Sequence, residues 1–312
     1  MTNVVGHSSD VRGLTQVPAA AQQAGGAAAA ADASAAAAAV SAEFAALAGA
    51  ENFPVALRIL PRARREQLMA VYAFARTTDD IGDRAPTGSR MRLLDELDAD
   101  VCRLGSETPR LPVVRALDAL VADRGLDPQL LRDLIQANRQ DQLVTRYRNF
   151  DELAGYCRLS ANPVGRIVLQ VFGVFSQDRA ELSDQICTGL QLAEHWQDVA
   201  EDWRDGRVYL PADDMDSFGC GTAELDGSSA APQLRALLEF EVARARRLLN
   251  AGAPLVGTLR GWPRLAVAGY LAGGRAALAA IAAAGYDVLS GTPKPRRSRT
   301  MTGLARAVVT GR

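Results

Sequence analysis

From about residue 61 to residue 285 the apolar residues recur with the 3.6-residue period of a helix, and short alternating β-branched runs are missing. A chain patterned this way has no strands to pair, so its hydrophobic stripes must be buried helix against helix. The interruptions carry helix breakers: Gly105, Pro109, Gly125, Pro128, Gly206, Pro211 and Pro263. The spacing predicts helices at about 61–83, 87–104, 109–124, 127–146, 151–173, 177–203, 231–250 and 263–285. The expected fold class is all-α, as a single large helical bundle, and the lack of a fixed repeat disfavours a solenoid.

The flanks differ from this core. Residues 1–47 are mostly Ala, Gly, Ser and Gln and read as a disordered Ala-rich extension, 48–290 as the helical domain, and 291–312 as a basic flexible tail. That tail holds Lys294, Arg296, Arg297, Arg299, Arg306 and Arg312 with no acid. It reads first as a solvated tail, although with Leu304, Val308 and Val309 it also has the composition of a segment resting peripherally on an anionic membrane. The chain shows no basic region followed by a Leu-rich stretch, and no run of roughly 18 strongly apolar residues suited to a membrane span. The expected location is therefore cytoplasmic, with contact to the inner face of the membrane through the tail.

A formal net charge of -1 argues against a nucleic-acid partner. Cys102, Cys157, Cys187 and Cys220 form no C-x-x-C, which leaves neither a disulfide framework nor a thiolate metal site. His7 and His195 are the only imidazoles, too few for a His-based metal centre. Catalysis is left to carboxylates, Arg and Tyr.

Two acidic stripes stand out. Tyr72, Arg76, Asp79 and Asp83 share one helix face, and Gln191, Glu194, Asp198 and Asp202 share another. A solvated face is the ordinary reading of either stripe alone. Yet like charges at i and i+4 disfavour a helix by a few tenths of a kcal/mol, and acids near its C-terminal end oppose the macrodipole by roughly 0.3–1 kcal/mol. Local stability does not account for these residues. If the two helices face each other, oxygen-only ligands with open positions suit Mg²⁺ bridging to the phosphates of a substrate.

The string Tyr72-x-Phe74-x-Arg76-x-x-Asp79-Asp80-x-x-Asp83, then Tyr156-Cys157, then Gln191-x-x-Glu194-x-x-x-Asp198-Val199-x-Glu201-Asp202-x-x-x-Gly206-Arg207-x-Tyr209-Leu210-Pro211 resembles the squalene/phytoene synthase family over about residues 50 to 290. The resemblance implies the isoprenoid synthase fold, a Mg²⁺ cofactor, a prenyl diphosphate substrate and a carbocation held in an apolar cavity. It places Mg²⁺ on Asp79, Asp83, Glu194, Asp198 and Asp202, and diphosphate oxygens on Arg76 and Arg207. Tyr72, Tyr156 and Tyr209 would stabilise the cation, and Asn52, Phe74, Gln191 and Gln197 would contact substrate. Phe74, Leu169, Phe172 and Leu271 would exclude bulk water from the cavity.

Departures from the family pattern narrow the expected reaction. Glu51-Asn52-Phe53-Pro54-Val55-Ala56 replaces a basic diphosphate grip, Ser160-Ala161-Asn162-Pro163-Val164-Gly165 replaces a V-A-G turn, and Gln197 stands where some members carry Arg. These resemble the branch that ionises presqualene diphosphate and quenches the rearranged cation with water, with Asn162 positioning that water. Coupling to a presqualene diphosphate synthase would follow. Condensation of two prenyl diphosphates to squalene, presqualene diphosphate or phytoene is the alternative, and a non-catalytic assembly factor is the non-enzyme reading. Glu194 departs from the family's Asn and adds a charge. Each role also has a plainer counterpart: Phe74, Leu169 and Phe172 as core, Tyr209 as a loop dock, His195 in helix packing, and Asn162 as a cap before Pro163.

Overall fold

The computed structural model describes residues 60–294 together with residues 303, 304, 307, 308, 310 and 311. The Ala-rich extension and Asn52 lie outside the described residues. The described helices are α1 (Arg62–Arg84), α2 (Arg90–Val101), α3 (Pro112–Arg115), α4 (Asp118–Arg124), α5 (Pro128–Asp141), α6 (Phe150–Ser160) and α7 (Asn162–Phe172). They continue with α8 (Gln177–Gln197), α9 (Val199–Arg204), α10 (Ala212–Ser217), α11 (Pro232–Gly252), α12 (Leu255–Thr258) and α13 (Gly261–Ala283). No strand occurs among the described residues, where Arg146 and Val208 form an isolated bridge.

Local chemistry sets the boundaries. Asp127 caps Gln129 N ahead of Pro128, Asn149 caps Glu152 N, and Ser176 caps Arg179 N. α4 and α7 end on Gly125 and Gly173 in the left-handed region. The expected helix 151–173 is two helices, because Pro163 has no N–H to offer and disfavours helical continuation before it. The expected helix 177–203 breaks at Asp198, whose φ of -104° and ψ of 14° depart from helical values. The span expected at 127–146 stops at Asp141, and the one at 109–124 divides between α3 and α4.

The apolar faces collect into two cores. α8 packs on α11, α7, α13 and α6, around Leu192, Trp196, Leu237, Val242, Leu271 and Leu278. α1 packs on α5, α2, α3 and α7, around Phe74, Leu97, Leu131, Ile135 and Ile167. One expectation needs correction here: α13, 23 residues with a mean hydropathy of 1.5 over its most apolar window, is long and apolar enough to cross a membrane. It is also a bundle helix, with Leu271, Leu278 and Ile281 fully buried against α8 and α11.

The described residues near the C-terminus dock on the protein, where the sequence alone reads as a flexible tail. Ala307 is buried, Leu304 and Val308 pack against the main core, and an Arg264 N–H donates to the Val308 carbonyl. Leu304 and Val308 therefore spend apolar surface on the bundle.

Candidate active site

α1 delivers Tyr72, Arg76, Asp79 and Asp83 down one side, and the α8–α9 break delivers Glu194, Asp198 and Asp202 on the other. The helices bearing the two stripes both pack on α7, and side chains and one loop add a direct link between the stripes. Arg207 Nη2 donates to Asp83 Oδ1 at 3.1 Å. Asp141, at the end of α5, lies between them and accepts the Tyr156 hydroxyl at 2.9 Å.

The loop carrying Arg207 and Tyr209 is tied to the segment after α5. Val208 N donates to Thr145 O, Ala212 N to Tyr147 O and Asp213 N to Arg148 O. This brings three tyrosines together, with ring centroids 5.6 Å apart for Tyr147 and Tyr156, 5.9 Å for Tyr147 and Tyr209, and 5.8 Å for Tyr156 and Tyr209. His195 stacks on Tyr209 at 3.7 Å and 14°. Its Nε2 is 3.1 Å from Gln191 Nε2 and its Nδ1 is 3.8 Å from Asp202 Oδ2. With the Gln191 amide donating, the imidazole proton resides on Nδ1, facing Asp202. Beside this pair lies a cavity of about 10 Å³, room for a single water, lined by His195, Asp202, Arg207, Tyr209, Leu210 and Leu225.

Burial and crowding raise the pKa of three carboxylates beside one guanidinium. Asp79 is pushed up to about 6, chiefly by desolvation, against the Asn138 amide that donates to its Oδ1 at 3.1 Å. Its surface still meets solvent, so the desolvation is that of a concave wall and not of a closed core. Asp141 rises to about 6, again by burial first, against the Tyr156 hydroxyl and the Arg207 charge. Asp198 rises to about 6 through burial, then Glu194, Glu201 and Asp202. Burial also lifts the Tyr147, Tyr156 and Tyr209 hydroxyls above their usual range, so all three stay protonated at neutral pH.

The donor set fits a hard dication. Asp141 Oδ1 and Asp202 Oδ2 are buried without a hydrogen-bond partner, and crowded, unsatisfied carboxylate oxygens are what such an ion relieves. No cluster of three or more Asp, Glu, His or Cys side chains poised around one metal position occurs among the described residues. Mg²⁺ commonly takes one or two carboxylates and completes its shell with water and substrate phosphates.

Several expected site residues are employed elsewhere. Phe74 is fully buried in the α1 core, and Leu169, Phe172 and Leu271 are likewise packed core side chains. Gln197 donates to the Pro293 carbonyl at 2.5 Å, which ties it to the chain beyond α13. Asn162 is buried at the start of α7, with Oδ1 taken by the Thr188 hydroxyl at 3.0 Å. Arg76 is 3.3 Å from Asp80 on its own helix. Asn138, Asp141 and Tyr147 escape the sequence reading. For the first two a signal exists: they continue the arc of Leu131, Leu134 and Ile135, polar residues on the buried face of α5.

The sequence profile of the squalene/phytoene synthase family matches residues 47–300. The hydroxysqualene synthase of Rhodopseudomonas palustris is 37% identical over 67% of this chain and 72% of its own length, and that of Sinorhizobium fredii is 38% identical over 69% and 73%. The crystal structure of squalene synthase HpnC from Alicyclobacillus acidocaldarius superposes with a TM-score of 0.73 at 37% identity, covering 77% of this chain and 91% of that one. The all-α bundle is thus the isoprenoid synthase fold, and with its two acidic stripes and matched profile the chain belongs to the squalene/phytoene synthase family of enzymes.

Proposed function

We propose that this enzyme converts presqualene diphosphate to hydroxysqualene and diphosphate. The carrying observation is the Asp83–Arg207 contact, which sets a guanidinium between two sets of carboxylates above a floor of protonated tyrosines. Identity of 37% and 38% to hydroxysqualene synthases supports the choice of reaction within the family.

In this reading Asp79, Asp83, Glu194, Asp198 and Asp202 hold Mg²⁺. The bound metal supplies positive charge, which lets a diphosphate enter an acidic cleft and depart as a stabilised leaving group. Arg207 and Arg76 hold diphosphate oxygens by charge-assisted bonds. The carbon–oxygen bond to the diphosphate breaks and its electron pair leaves with the diphosphate. Tyr72, Tyr156 and Tyr209 present ring faces to the resulting cation, and the Tyr156 and Tyr209 hydroxyls, kept protonated by burial, offer it no anion to capture. Water then forms the new carbon–oxygen bond and gives its proton to the departed diphosphate, so no reductant is consumed. Asn138 orients Asp79, and His195 with Gln191 orients Tyr209 and Asp202.

A location in the cytoplasm and hand-over of substrate by a presqualene diphosphate synthase accompany this reading. The test is consumption of presqualene diphosphate by purified protein with Mg²⁺, with and without NADPH. Turnover indifferent to NADPH is expected; turnover of farnesyl diphosphate alone would assign the condensing reaction.

A further inference from the structure

Away from the cleft, one guanidinium joins three helices. Arg244 on α11 binds Asp214 of α10 at 2.7 Å through Nη1 and 3.4 Å through Nη2, and Glu241 of its own helix at 2.8 Å. Its plane also covers the rings of Phe150, at the start of α6, and Phe240, with centroid distances of 4.3 Å and 4.6 Å. Glu241 is fully buried and its Oε2 has no partner. Such a cluster is costly unless it does something that an apolar contact would not.

What it holds is α10. That helix has six residues, no side-chain cap, and acids Asp213 and Asp214 in its first turn. A segment this short has no stability of its own. It follows directly on Arg207-Val208-Tyr209-Leu210-Pro211, so the position of α10 sets the downstream end of that strap. The upstream end is held by Trp203 Nε1 donating to Asp226 at 2.7 Å.

We propose that Arg244 is a positioning residue for the active site: by gripping Asp214 against Glu241 it latches α10, and through α10 it fixes the strap that presents Arg207 and Tyr209. This rests on the reading that Arg207 and Tyr209 act on substrate. The charged groups acting on Glu241 are Arg244 on its own helix and Asp214 on α10. Burial, ahead of those partners, raises Glu241 to about 8. Ionisation of Glu241 as pH rises through about 8 makes its carboxylate compete with Asp214 for the single Arg244 guanidinium, which loosens the grip on Asp214.

The experiment reads the strap directly, by hydrogen-exchange protection of the Val208, Ala212 and Asp213 amides, alongside kcat and KM for presqualene diphosphate. Arg244→Lys keeps the charge but loses the fork and the ring stacking. It is expected to lower the protection of these amides roughly tenfold and to lower kcat on the order of 10- to 100-fold through misplacement of Arg207 and Tyr209. Arg166→Lys, which weakens the comparable Arg166–Asp184 pair between α7 and α8, should leave both readings unchanged. In the parent protein, protection should fall as pH rises through about 8. Glu241→Gln, a mimic of the protonated acid, should abolish that fall. Unchanged strap protection in Arg244→Lys, or an unchanged pH response in Glu241→Gln, would overturn the latch. Exchange needs no substrate, so a strap loosened by Arg244→Lys in a protein inert toward presqualene diphosphate would uphold the latch and count against the proposed reaction alone.

Discussion

Arg207 Nη2 lies 3.1 Å from Asp83 Oδ1, a contact between residues 124 positions apart that joins the first acidic stripe to the strap beyond the second. Asp83 is about half exposed and Arg207 about a quarter, so the pair contributes at most about 1 kcal/mol to stability. Its value is positional. Arg207→Met is expected to leave Tm within a few degrees of the parent while lowering kcat/KM on the order of 100-fold or more, the scale of losing a charge-assisted donor to a leaving group. Parallel thermal melts and steady-state kinetics check this, and a Tm loss with intact kcat/KM would reassign Arg207 to structure.

Asp141 illustrates the opposite balance. Its folded pKa is raised from 3.8 to about 6, so its ionised form opposes folding. The sign follows from linkage: no cost below about pH 4, a growing cost up to about pH 6, and a constant one above. Two pKa units, net of the attraction to Arg207, set a ceiling of about 3 kcal/mol, which solvent access reduces to about 1–2 kcal/mol. Asp141→Asn should therefore stabilise the metal-free protein at pH 7, show no gain near pH 4, and lose most activity. Urea unfolding at the two pH values measures it; equal gains at both would detach the effect from ionisation.

Gly82 tests the support beneath Asp79. A Cβ built there stands 2.2 Å from Asn138 Oδ1, and Asn138 is the amide that orients Asp79. Alanine is intrinsically better than glycine inside a helix by about 1 kcal/mol, but overpacking costs about 1–3 kcal/mol. Gly82→Ala should destabilise on balance and reduce activity. Adding Asn138→Ala should recover the stability and not the activity, since Asp79 then lacks its donor. Recovery of both would show that Asn138 merely fills space.

Glu194 is an exposed carboxylate and, after burial, the largest cause of the raised Asp198 pKa. Glu194→Asn should retain activity but raise the half-saturating Mg²⁺ by roughly two- to fivefold, the effect of removing one screened anion from the set that holds the cation. A Mg²⁺ titration of initial rates decides it, and an inactive variant would show that the charge itself is required.

The bundle and the two stripes were legible because helical period and i, i+4 spacing are local properties of the chain. Asp79 with Asp83, and Glu194 with Asp198 and Asp202, are read from spacing alone. The floor of the site was not legible in the same way. Asp141 and Tyr156 are neighbours only after α5 and α6 pack, and Tyr147 reaches Tyr209 only because the backbone of 145–148 accepts that of 208–213. Asn138 and Asp141 did leave a trace, as polar residues on an apolar arc, which spacing between acids does not reveal. Gln197 shows the converse. The family resemblance, with Arg at this place in some members, marks it as a substrate contact, and the fold gives its amide a carbonyl partner at Pro293, which lies 96 positions away and is not visible from local spacing. The break at Asp198 was hidden because no Pro or Gly accompanies it.

The central claim is that water, and not hydride, ends the reaction. Purified protein incubated with Mg²⁺ and presqualene diphosphate in H₂¹⁸O is expected to yield a C30 alcohol carrying one ¹⁸O, in a yield that NADPH does not alter. Squalene formed only when NADPH is present, or an alcohol without the label, would contradict the account.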